Sequence, residues 1–498
     1  MKINIITILF ALLSASSAFA ANDYLVKLDQ DNTSLAYLKA SLPEGSIVED
    51  LGIAGWVRVE APAQTASTFN YQSLQAKSFV KTTQKNYQLG LFNYPSLQRS
   101  LLQRQGLEAL LAGPMNDDNL FPIPGNPGGA SDNPEIPTSG SGGSGADPLF
   151  NRQWGMEQAR VREAWQNTKG SSDIVVAVID SGVDYTHEDL VDNLWRNPGE
   201  SGRDAQGRDK ATNGIDDDQN GYVDDTIGWD FVTNDNKPYD LAVSGIEIIT
   251  TGGNPGHGTH CAGNVAARGD NGKGVAGVAP NVRIMSLRFL SEKGQGTTAD
   301  AIKAVRYAVD NGAQVLSNSW GSVGEDPNDR EGNHALRDAV TYSMEQGTLF
   351  VAAAGNGKQG QGYNNDTDSQ PAYPASYDME NIISVAAIDS SGNLGSFSNW
   401  GQRTVDIGAP GVAVFSTTVG DQYSNTVIEF FGQKITWDGT SMATPHVAGA
   451  AALYWSAFPN KNWPEVKRAI LNSVQTTRQL SGKTVSGGQL DVSAMMSN

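Results

Sequence analysis

The sequence predicts an α/β protein: a mainly parallel central sheet with helices on both faces, preceded by a small α+β unit. From Asp147 onward, short β-branched apolar runs alternate with segments of helical periodicity. Those runs are continuous rather than alternating, which is what strands buried on both faces require. The front unit is set apart by residues 121–146, where 16 of 26 residues are Gly, Pro or Ser. Such a segment cannot bury a core and reads as a linker.

The elements follow in order along the chain. Residues 1–20 carry one lysine, an apolar run from Ile3 to Leu13 and the close Ala18-Phe19-Ala20. This is the pattern of an export leader cleaved after Ala20. The run is too short for a membrane span, and no later span is expected. Residues 21–90 form the α+β unit: a strand over 24–28, a helix over 32–42, strands in SIVEDL and GWVRVEA around Gly52 and Gly55, a helix near 63–75 and a strand near 78–88. Residues 91–146 hold a short helix and then the linker. Residues 147–498 form the main domain, with strands expected at 174–180, 282–290, 314–319, 348–355 and 382–389. Helices are expected at 297–312 and 333–347, each ending at a glycine.

Composition narrows the function. The net charge of −19 argues against a nucleic-acid partner, which needs a basic patch. Cys261 is the one cysteine, so an exported chain has no internal disulfide, and stability must come from its core, bound ions or both.

In a parallel sheet, function gathers at the carboxyl ends of the strands. Asp180 closes VVAVID, His257 stands between Gly256 and Gly258, Asn356 follows FVAAAG, and Ser441 precedes a small-residue helix containing Pro445. Each has an ordinary structural reading as a cap, loop or turn residue. Together they supply a nucleophile, a base, an orienting carboxylate and an oxyanion donor.

The blocks VIDSGVD, GHGTHCAG, AAAGN and GTSMATPHVAG resemble the signatures of the subtilisin-like serine proteases over roughly 147–474. HGTHCAG is similar to the proteinase K branch and DPLFNRQWG to thermitase-like members. The resemblance implies a serine endopeptidase with Ser441 as nucleophile, His257 as base, Asp180 as its orienter and Asn356 with the Ser441 N–H as oxyanion donors. It places substrate strands along Gly294, Gln295 and Gly296 and along Ser319, Trp320 and Gly321. Gly355, Ala372 and Tyr373 would line the main pocket, Trp320 would narrow it, and apolar or aromatic side chains would be preferred. Ser441 would stand at its helix N-terminus, and Pro445 in the first turn, where no N–H partner is lost. His260 and His446 are expected to be packed or buried, His187 and His334 structural or exposed, and Cys261 a small core residue beside His257. GTSMA is not G-x-S-x-G, which argues against an α/β-hydrolase elbow.

Residues 196–240 hold 11 acidic and five basic side chains. Asp216, Asp218 and Asn220 alternate before Gly221, as in the first half of an EF-hand loop, but position twelve is Ile227. An incomplete calcium loop is expected, with Tyr222 and closure by Asp224 or Asp225. The alternative is a solvated acidic loop. The resemblance suggests a second calcium site at Asp147, Asp189, Asp270 and Asn271.

By the same resemblance, the 21–90 unit is a propeptide, chaperone and inhibitor at once, with QKNYQLG entering the cleft and maturation cutting somewhere from about 90 to 146. The other reading is a permanent substrate-binding or tethering domain. For the whole chain, two readings stand: a calcium-stabilised, self-processing, monomeric endopeptidase, secreted or periplasmic, or a catalytically silent scaffold on the same fold.

Overall fold

The structure, a computed structural model, describes residues 22–29, 34–65, 69–92, 145–243, 245, 247–248, 253–322, 333–358, 360–430 and 433–497. The expected leader and nearly all of the 91–146 segment lie outside these residues.

The front unit is a four-stranded antiparallel sheet in the order β2-β3-β1-β4, from β1 (Asp23–Leu28), β2 (Ile47–Asp50), β3 (Trp56–Glu60) and β4 (Val80–Lys85). Helices α1 (Ser34–Ala40) and α2 (Tyr71–Gln75) accompany it. Leu38, Val26, Val57, Val59 and Leu74 form its own core. The helix expected near 63–75 is instead a turn at Ala63–Thr65 and the short α2, which Asn70 caps with a reciprocal Ser73 bond. The strand expected at 78–88 breaks in two. β4 ends at Lys85; the Asn86 N–H still donates to the Asp23 carbonyl at 3.1 Å while its side chain accepts from the Ala299 N–H at 2.9 Å, and β5 (Gln88–Gly90) joins a different sheet.

The main sheet has nine strands: β6 (Val175–Asp180), β7 (Gly228–Asp230), β8 (Arg283–Arg288), β10 (Val315–Asn318), β12 (Leu349–Ala353), β13 (Ile382–Ile388), β14 (Ile407–Pro410), β15 (Gln475–Thr476) and β16 (Gly488–Gln489). Their order is β15-β16-β14-β13-β12-β10-β6-β8-β7. All pairs are parallel except β15 with β16. The two-residue side-chain period divides each strand between two cores. Val176 and Val178 face a layer with α3 (His257–Ala266) and α6 (Thr440–Ala457). Val175, Ala177 and Ile179 face a layer with α4 (Thr298–Asp310) and α5 (His334–Glu345). β6 has β8 on one side and β10 on the other, so the strand order reverses there. A crevice at the carboxyl end of such a strand is where α/β sheets hold ligands, and β6 ends at Asp180.

The front unit docks on the α4–α5 layer. Trp56, Leu25 and Leu51 join that core. Trp56 Nε1 and Lys27 Nζ both donate to Asp338, at 2.7 and 2.5 Å. Gln84 Oε1 accepts from the Ala335 N–H at 2.9 Å, so an amide side chain of the front unit takes one first-turn N–H of each helix.

Candidate active site

Asp180 is fully buried, and its Oδ1 lies 2.8 Å from His257 Nδ1. A carboxylate can only accept, so Nδ1 carries the proton and Nε2 is left as the basic nitrogen. Burial opposes charge on His257, but Asp180 outweighs it, and the imidazole is held well above its ordinary range. The close approach needs glycine: a Cβ on Gly258 would stand 2.0 Å from the Gly182 carbonyl.

Ser441 is the second residue of α6, whose N-cap is Gly439, so it is not a helix cap. Its Oγ donates to the Ser319 carbonyl at 2.9 Å rather than to His257. Cys261 bridges the two, with Sγ 3.8 Å from His257 Nδ1 and 3.5 Å from the Ser441 carbonyl. Pro445 lies deeper than expected, inside α6 beyond the first turn. Proline removes the donor for the Ser441 carbonyl. Ser319 Oγ replaces it at 2.8 Å, and the Cys261 thiol adds a second contact. Asn356 Oδ1 accepts from both the N–H and Oγ1 of Thr440 at 2.9 Å, which fixes Nδ2 as the donating end of the amide.

The two segments expected to meet substrate are strands in part, with Gly294, Ser319 and Trp320 just outside them. β9 (Gln295–Thr297) and β11 (Gly321–Ser322) flank β5, and both pair with it antiparallel. Gly90 stands opposite Gln295 on one side and Gly321 on the other, and the Leu91 N–H donates to Gly294 O at 2.9 Å. Phe92 reaches Gly321, where a Cβ would lie 2.4 Å from its Cζ and 2.8 Å from the Tyr373 carbonyl. Gly355, at φ +104°, lies against Ala372, 2.8 Å from the position of a Cβ. Trp320 is fully buried, packs edge-on against Phe289 and belongs to the core of the α4–α5 layer. Tyr373-Pro374 is a cis peptide. His260 stacks on Trp437, and His446 Nδ1 meets the Met442 carbonyl; burial pushes these imidazoles down to about 3 and about 4.

The acidic loop converges differently from its spacing. Carboxylate oxygens of Glu200, Asp218 and Asp225 lie within 4.8 Å of one another. Glu200 is fully buried, its Oε2 has no hydrogen-bond partner among the described residues, and burial pushes it up to about 7. Burial pushes Asp225 up to about 6. A buried, unpartnered carboxylate oxygen beside two others suits a hard cation with oxygen ligands. Asn220 stays beside the cluster, its Nδ2 2.9 Å from Asp225. Asp216 is not in it, because its oxygens take the N–H groups of Asn220 and Gly221. Asp224 turns to the Gly214 N–H, and the Tyr222 ring packs on Trp229 and Tyr307. Glu200 carries no spacing signal and was not expected. At the other suggested site, Asp147 accepts from the Asp270 and Asn271 N–H groups, and Asp189 from Asn271 Nδ2 at 2.7 Å. Burial raises both carboxyls. The Asp270 side chain points away, paired with Lys169.

A hydroxyl at a helix start, an imidazole oriented by a buried carboxylate and an anchored amide, all at the carboxyl edge of a parallel sheet, make this a serine-hydrolase arrangement. The family model described as "Subtilase family" matches residues 171–489, and the chain belongs to that family, the subtilisin-like serine proteases. It is 37% identical to a thermophilic serine proteinase of Bacillus sp. (strain AK1) over 66% of this chain and 63% of that protein. It is 34% identical to thermitase of Thermoactinomyces vulgaris over 68% of this chain and 92% of thermitase. To subtilisin DY of Bacillus licheniformis it is 40% identical over 46% of this chain and 73% of that protein. Among the described residues, no helix is long and apolar enough to cross a membrane.

Proposed function

We propose that the chain is an exported serine endopeptidase made as a self-inhibited, self-processing precursor and stabilised by calcium. Ser441 Oγ attacks the peptide carbonyl as His257 Nε2 takes its proton. Asn356 Nδ2 and the Ser441 N–H hold the oxyanion. The C–N bond then breaks as His257 returns the proton to the leaving amine, and water hydrolyses the acyl-enzyme by the reverse proton path.

The observation that carries the precursor reading is β5, the chain's own strand, lying between β9 and β11 where an extended substrate would add. Gly90 stands opposite Gly321, so the antiparallel register brings Phe92 opposite Ser319, whose carbonyl meets Ser441 Oγ. Maturation then cuts after Phe92, with its ring against Gly321 and with Leu89 and Leu91 in the α4–α5 core. Residues with apolar side chains at these positions are the substrates to expect. Glu200, Asp218 and Asp225 would hold one calcium, with Asn220 beside them, and Asp147, Asp189 and Asn271 a second. Both sites serve the fold, not the chemical step.

The silent-scaffold reading has one point in its favour, the Ser441 hydroxyl turned to Ser319. One side-chain rotation undoes it, so the enzyme reading is preferred. Intact mass of wild type and Ser441→Ala, each expressed with calcium, separates the two. Wild type should lose everything through Phe92 while the variant keeps it. Equal processing of both, with no hydrolysis of casein by wild type, would leave the scaffold.

A further inference from the structure

Asp240 is a fully buried acid in the loop before α3. Four donors reach its carboxylate: Ser181 Oγ at 2.9 Å and Asn254 Nδ2 at 2.7 Å on Oδ1, and the Thr259 N–H at 2.8 Å and Thr259 Oγ1 at 2.7 Å on Oδ2. Burial pushes the acid up to about 6, so the fold maintains this group against its desolvation.

The arrangement makes sense from the start of α3. His257 is the first residue of that helix, and its N-cap is Gly256 at φ +93°, which has no side chain to offer. The first-turn N–H groups must therefore find acceptors elsewhere. The His257 N–H donates to Asn254 Oδ1 at 2.9 Å, the Gly258 N–H to Ser181 Oγ at 2.9 Å and the Thr259 N–H to Asp240 itself. The other two acceptors in turn donate to Asp240 Oδ1. Ser181 is also the residue that follows Asp180, and its N–H holds Asp180 Oδ1 at 2.7 Å. One carboxylate thus ties the end of β6 to the start of α3, where the helix dipole favours its charge.

We propose that Asp240 is a positioning residue for the Asp180–His257 pair, acting through Ser181, Asn254 and Thr259. The proposal rests on the reading of that pair as the working acid–base couple, and it adds a residue to it. An amide in place of the carboxylate would set its NH2 group against a group that can only donate, Asn254 Nδ2 on one side or the Thr259 N–H on the other, so the network must shift. Displacement of a catalytic group by about 1 Å can lower turnover on the order of 100-fold.

The test is Asp240→Asn in the full chain, with two readouts. On a small peptide substrate, kcat should fall on the order of 100-fold while KM stays within about twofold. In a Ser441→Ala background, the far-downfield proton resonance of His257 Nδ1–H should broaden or vanish. The second readout needs no turnover, so it judges Asp240 even if the wild type hydrolyses nothing and the proposed function fails. Thr259→Val removes the hydroxyl bonds to Asp240 and from the Asp184 N–H but keeps the Thr259 N–H bond to Asp240; it should give a smaller loss with the same split, and it serves if Asp240→Asn does not fold. Wild-type kcat and an unchanged resonance in whichever variant folds would overturn the proposal and leave Asp240 a structural cap.

Discussion

Removal of the Glu200 charge should have opposite effects on the metal-free and the calcium-loaded protein. Glu200 and Asp225 have folded pKa values pushed above their ordinary 4.5 and 3.8, to about 7 and about 6. The folded state therefore binds more protons than the unfolded one across that window. Without a cation, this contribution to stability is present below about pH 4 and is lost as pH rises toward 7. A cation held by the three carboxylates reverses the loss: at a free concentration 100-fold above Kd it adds about 2.7 kcal/mol. For a body of this size that is roughly 3 to 4 °C in Tm. Thermal unfolding in a Ser441→Ala background, in EDTA or calcium at pH 5 and pH 8, avoids self-digestion. Calcium should raise Tm at pH 8 far more than at pH 5. Glu200→Gln should raise the EDTA midpoint at pH 8, because a repelling charge is gone, and shrink the calcium increment. The second suggested site contributes equally to both proteins and cancels in the comparison. An unchanged calcium increment together with an unchanged EDTA midpoint in the variant would show that Glu200 neither repels its neighbours nor holds the ion.

Two further outcomes are expected. Asn356→Leu should lower kcat by about 10² to 10³ with little change in KM, since the donor acts where charge develops; steady-state kinetics on a peptide anilide would reveal a KM effect instead if the amide only binds substrate. Activity should fall with decreasing pH as His257 takes up its proton, with a midpoint above 6.5 because Asp180 holds the imidazole upward; a pH profile of kcat/KM with its midpoint near 5 would contradict that electrostatic picture.

Much of this was legible in the sequence. Short, mostly apolar runs marked β6, β8, β10, β12 and β13, because burial on both faces favours apolar side chains at most of those positions. β7 and β14 were not legible: one is three residues around Trp229, and the other contains Gly408 and Pro410. Their strand character comes from neighbouring strands, not from local preference. The candidate site was legible where chemistry sits at a strand end or helix start, as at Asp180 and Ser441. The ion cluster was legible only in part, because alternate spacing assumes that every carboxylate turns to one point. Asp216 answers its own loop's N–H groups instead, while Glu200 arrives from outside the motif. Asp240 has no motif at all; its role comes from long-range contacts with Ser181, Asn254 and Thr259.

The two cores on either side of the sheet have a consequence for how such a chain can change over generations. His257 and Ser441 belong to helices of the α3–α6 layer, while Leu89 of β5, Leu91 just after it, and Trp320 and Tyr373 belong to the α4–α5 layer. Substitutions that remodel what is recognised fall mostly in one layer, and those that would disable the reaction fall in the other. New preferences can therefore be explored by drift in the second layer while the first stays under purifying pressure.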